Sequence, residues 1–140
     1  MAVYKGLLIK EGKIEPIDID TSRDGATDIH SLVGDTFTSC FFVPVREPTS
    51  FGRMLVGYCD DNFLQKDLPL NVILTRDLYN WESPGYAIHG PIVITAMQAP
   101  DTKSMTDSER SRFYIIDHPQ GPLLRYRDGD TDPIAIREGL

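Results

Sequence analysis

The sequence predicts a small α+β fold: a mainly antiparallel sheet, two or three short helices on one side of it, and an irregular C-terminal tail. Three observations carry that prediction. Apolar and polar residues alternate in several short runs, turn-prone residues join those runs in pairs, and helix-start signals precede only brief segments.

Tyr4–Ile9 and Ile14–Ile19 flank KEGK and read as an N-terminal β-hairpin. Pro16 offers no backbone N–H, which assigns the second strand to a sheet edge. The segment Asp28–Val33 reads as a short helix, capped by Thr27 or Asp28 and stopped by Gly34. From Thr36 to Val45 the alternation puts Phe37, Phe41, Val43 and Val45 on one face, with Thr36, Thr38 and Cys40 on the other. PTSFG turns the chain into a partner strand, Arg53–Cys59. Asn71–Leu78 mixes β-branched residues with Leu74 and Leu78 one helical turn apart, and is read as a short helix. Tyr86–Met97 reads as a strand with Ile88, Ile92, Ile94 and Ala96 on one face and His89, Val93 and Thr95 on the other, bent at Gly90-Pro91. APDTKSM reads as a linker. Thr106 and Glu109 have capping-box spacing, so a polar helix begins there, followed by a strand at Phe113–Asp117. The tail from His118 is rich in Pro, Gly and Asp and reads as irregular. This divides the chain into a core domain, residues 1–97, and an extension, 98–140, packed on the core or on a neighbouring subunit.

Composition limits the function. A chain of 140 residues with 41% hydrophobic and 25% charged residues has an ordinary globular balance. Its apolar runs are too short to span a bilayer as helices, and no signal-peptide pattern opens it, so a cytoplasmic location is expected and no membrane partner. Fourteen basic against 21 acidic residues give a net charge of −7, which disfavours direct nucleic-acid binding. Cys40 and Cys59 read as two buried thiols of neighbouring strands.

Asp60-Asp61-Asn62 invites a metal reading. A calcium loop starting at Asp60 would find Leu64 where an oxygen ligand is needed, Gln65 in place of the Gly, and Asn71 in place of the closing acid. The triplet therefore reads as a turn, and Asn71 as a cap or a bond across the next loop. Asp128, Asp130 and Asp132 have DxDxD spacing, but Pro133 and Gly139 occupy the positions of the Gly and the closing carboxylate. The three histidines, His30, His89 and His118, are dispersed. No nucleotide-binding or hydrolase motif is present, and no cofactor or metal is expected. Arg76, Trp81, Tyr86 and His89 are the candidate ligand or partner contacts, because Arg and aromatic side chains anchor interfaces and stack on bases.

SLVGDTF at Ser31–Phe37, the acidic turn Asp60–Asn62, LPLN at Leu68–Asn71 with Thr75 following, and IHGPIVI at Ile88–Ile94 occur in one order. That order resembles a family of short proteins of unknown function found in bacteriophages, plasmids and their bacterial hosts. The family pattern runs LVGG, a strand pair ending in an acidic turn, LPxN with a following Ala-Thr, then I-x-G-x-hydrophobic. The likeness covers residues 4–97. Asp35 replaces its second Gly, and Leu74 its Ala. The resemblance implies a mobile-element setting and transfers no catalytic residues.

These features favour a non-enzymatic, phage- or mobile-element-encoded binding protein. It would hold a host protein or sequester a small signalling nucleotide to counter host defence, and it could assemble with further copies of itself. Two alternatives remain open: an acidic DNA mimic that inhibits a DNA-binding host protein, and a small metal-dependent enzyme using Asp60, Asp61 and His89.

Overall fold

A computed structural model describes residues 3–20, 29, 31–34, 37–45, 52–62, 65–75, 78, 86–98 and 101–127. Two sheets face each other across one apolar core. The first has the order β2-β1-β7-β4-β3, formed by β1 (Val3–Lys10), β2 (Lys13–Asp20), β3 (Phe37–Pro44), β4 (Arg53–Asp60) and β7 (Ile92–Gln98); β8 (Asp101–Lys103) pairs with β7 outside that path. The second has the order β6-β5-β10-β9, from β5 (Leu70–Leu74), β6 (Tyr86–His89), β9 (Phe113–Ile116) and β10 (Leu123–Tyr126). Among the described residues, every strand pair is antiparallel except β5 with β10. The molecule is β-rich. Among the described residues, helix is confined to 29, 31–33 and Asp107–Ser111.

The N-terminal hairpin forms as expected. Lys10 and Lys13 close it, and Glu11 (φ 53°) and Gly12 (φ 72°) both take positive φ, the two-residue turn whose twist matches its strands. Pro16 lies on β2 at the sheet edge, where no ladder donor is required of it.

Between the sheets, Ile9, Leu55, Leu74, Ile88, Ile92 and Leu124 have no exposed surface. On the outer face of the first sheet, Ile29 and Val33 pack with Ile19 and Val93 in a second apolar cluster.

Several expectations are corrected. Phe37 and Phe41 do not share a face. A bulge between Ser39 and Phe41 adds a residue, so Phe37 joins the outer cluster, edge-on to Tyr58 at 5.6 Å, while Phe41 and Val43 enter the core. Residues 70–74 are a strand, not the start of a helix. Val72, Ile73 and Leu74 are buried in succession because β5 is covered on both faces, and such a strand loses the alternation that identifies one. Tyr86–Met97 is two strands in two sheets, with Gly90 (φ 85°) and Pro91 at the corner. The expected linker contains β8. The tail is not irregular throughout, for Leu123–Tyr126 forms β10 in the interior of the second sheet; residues 128–140 lie outside the described residues.

The capping box at Thr106 forms as its spacing predicts. The Glu109 N–H donates to Thr106 Oγ1 at 3.0 Å, and the Thr106 N–H donates to Glu109 Oε1 at 2.9 Å. Arg53 opens β4 and donates from Nε to Glu109 Oε2 at 2.8 Å and from Nη2 to Glu109 Oε1 at 2.7 Å. This buried fork ties the first sheet to the helix that leads into the second.

Candidate functional site

Asp60, Asp61 and Asn62 leave β4 in a turn. Asp60 is 1% exposed; its Oδ1 accepts the Asn62 N–H at 2.8 Å, and its Oδ2 faces Lys66 Nζ at 2.6 Å. Its carboxylate therefore holds the loop together, while Asp61 points to solvent. Among the described residues, no group of three or more His, Cys, Asp or Glu side chains could hold a metal ion. Asp128, Asp130 and Asp132 lie outside them.

Asn71 lies in the interior, 2% exposed. Its Nδ2 donates to the carbonyls of Ile9 and Gly90, both at 2.8 Å, and its Oδ1 accepts the Gly12 N–H at 3.0 Å. One amide thereby joins the β1–β2 turn to the β6–β7 corner. His89 sits at the same corner, half-buried, with Nδ1 2.9 Å from the Leu68 carbonyl. A carbonyl can only accept, so Nδ1 carries the proton. Tyr86 opens β6 opposite Leu74. Arg76 and Trp81 lie outside the described residues, as do His30, Asp35 and the Tyr86 side chain.

A different constellation lies on β9 and β10. Tyr114 pairs with Arg125, and the next step of the ladder is the Arg127 N–H donating to the Arg112 carbonyl at 2.9 Å. Leu124 and Tyr126 turn into the core, so Arg125 and Tyr114 face away from it. The exposed Arg127 guanidinium lies 5.4 Å from the centre of the Tyr114 ring, within cation–π range. Arg112, the C-cap of the helix, is half-buried, and Arg125 is 4% exposed. Arg125 and Arg127 thus flank one tyrosine at the end of a two-strand ladder, and the backbone of Arg112 closes that end.

Reading the tail as irregular hid this group. Placed on strands, Tyr114-x-Ile116 and Leu123-x-Arg125 show the period of two that aligns side chains on one face, and Arg127 follows directly after β10.

Among the described residues, no helix is long and apolar enough to cross a membrane. No protein-family model matches the chain, and neither a curated protein nor a solved structure matches it.

Proposed function

We propose that this protein is a non-enzymatic binding protein whose ligand is a small anionic, nucleotide-like molecule, taken at the Arg112–Tyr114–Arg125–Arg127 face. The Arg127 guanidinium over the Tyr114 ring carries this reading. Guanidinium groups pair with phosphate oxygens in fork geometry, and an aromatic ring beside them offers a stacking surface for a base. In a chain of net charge −7, such a cluster answers a local anion rather than a general attraction to nucleic acid. Arg112 and Arg125 already interact within the chain, so exposed Arg127 meets the anion first. The resemblance of residues 4–97 to a phage and plasmid family supports a mobile-element setting, where holding a signalling nucleotide would blunt host defence.

The test begins with protein purified from a bacterial host and denatured by heat, with the released small molecules identified by mass spectrometry. Titration calorimetry with cyclic dinucleotides and nucleoside polyphosphates follows. The expected result is a phosphate-bearing ligand recovered unchanged, with affinity reduced at least about tenfold by Arg127→Ala. Recovery of a chemically altered ligand would overturn the non-enzymatic reading. Binding untouched by Arg127→Ala, or co-purification of a host protein with no small anion, would overturn the site.

A further inference from the structure

We propose that Cys40 and Cys59 form a reversible dithiol–disulfide couple that locks the bulge of β3 to β4. Cys59 pairs with Thr38, and Cys40 is the residue at which the register shifts between Ser39 and Phe41. The two cysteines therefore lie diagonally across adjacent strands, with Cys40 at the bulge. Cys59 belongs to the buried core, and the half-buried Cys40 packs against that same core, so both thiols lie on the inner face. Strand β3 is the outermost strand of its sheet. Its bulge interrupts the ladder at Cys40, leaving the backbone there freer to move than in a continuous pair.

The two thiols are unequal. Interaction between the two side chains holds the Cys59 thiol below the ordinary range and, together with burial, pushes the Cys40 thiol well above it. Exposure runs the other way, since Cys59 is 2% exposed and Cys40 is half-buried. Cys40, at the bulge of the outermost strand, is the thiol that meets an external oxidant first, and Cys59, in the core beside it, is the one that resolves. The oxidant is a low-molecular-weight disulfide. Deprotonated Cys40 attacks one of its sulfurs, forming a mixed disulfide and expelling one thiolate. The Cys59 thiolate then attacks the Cys40 sulfur, forms the intramolecular bond and expels the second. In sum, two protein thiols and one external disulfide become one protein disulfide and two external thiols, with two electrons passed to the oxidant.

The experiment exposes the folded full-length chain to glutathione disulfide, then applies intact-mass spectrometry and peptide mapping without reduction. The expected product is a monomer lighter by two hydrogen atoms, its Cys40 and Cys59 peptides joined, with no free thiol left to titrate and full reversal by dithiothreitol. Oxidation should quicken as pH rises and Cys40 deprotonates. In the Cys59→Ser variant, Cys40 should stop at the glutathione adduct. In Cys40→Ser, Cys59 should stay unmodified until the protein is unfolded. Melting curves verify that each variant is folded, and the wild-type mass alone decides the main point should a variant fail. A wild-type protein that stops at the adduct, links two chains, or reacts only after unfolding would overturn the proposal.

Discussion

At Asn71 one side chain satisfies backbone groups from three places: the Ile9 and Gly90 carbonyls and the Gly12 N–H. None of these bonds can be replaced by water without opening the corner, because the side chain is 2% exposed. Asn71→Ala should therefore destabilise the fold by about 2–4 kcal/mol in urea denaturation, with activity-independent loss of the corner. A loss below about 1 kcal/mol would mean that these groups find other partners. Gly57 makes a steric counterpart. A Cβ there would overlap the Phe41 ring, which fills the core beside Phe113. Gly57→Ala should cost about 1–3 kcal/mol, and Phe41→Leu in the same chain should recover part of it. Purely additive losses would show that the ring already yields.

Among the elements, the helix Asp107–Ser111 carries a pH-dependent tie. Burial pushes the Glu109 carboxyl up, but the hydrogen bonds from Arg53 and from the Thr106 N–H outweigh it and hold the pKa below the ordinary 4.5. The folded value is thus depressed relative to the unfolded chain. The tie stabilises fully above the unfolded value and is lost as pH falls through the folded one. Glu109→Gln should lower stability by about 3 kcal/mol at neutral pH, with the deficit shrinking on acidification; urea midpoints that fall in parallel with pH would contradict this. This helix was legible in the sequence because a capping box is local, needing only Thr106 and Glu109 at the right spacing. The KEGK hairpin was legible for the same reason. Strands β5 and β10 were not: their pairing spans some fifty intervening residues, and Val72-Ile73-Leu74 is buried in succession. Missing β10 also hid the arginine face, since Arg125 and Arg127 acquire a common direction only once the strand exists. The bulge at Cys40 left no mark in the alternation of residues 36–45, so the placement of Phe37 was unreadable.

The whole molecule closes through contacts distant in sequence. The N-terminal strand β1 pairs with β7, and β5 gains its parallel partner only when β10 arrives from beyond residue 120. A boundary at residue 97 would leave β5 paired only with the four-residue β6 and uncover Leu74, which has no exposed surface. It would also strip Phe113 from Phe41, Met105 from the core, and Glu109 from Arg53. Each loss exposes apolar surface or strands a buried charge, and a small domain has only about 5–15 kcal/mol of net stability to absorb them. The fragment 1–97 should therefore bind a hydrophobic dye and unfold in urea without a cooperative transition, whereas the full chain should show a single sigmoidal one. A sharp, cooperative transition in the fragment would show that the later strands are added to a fold already complete.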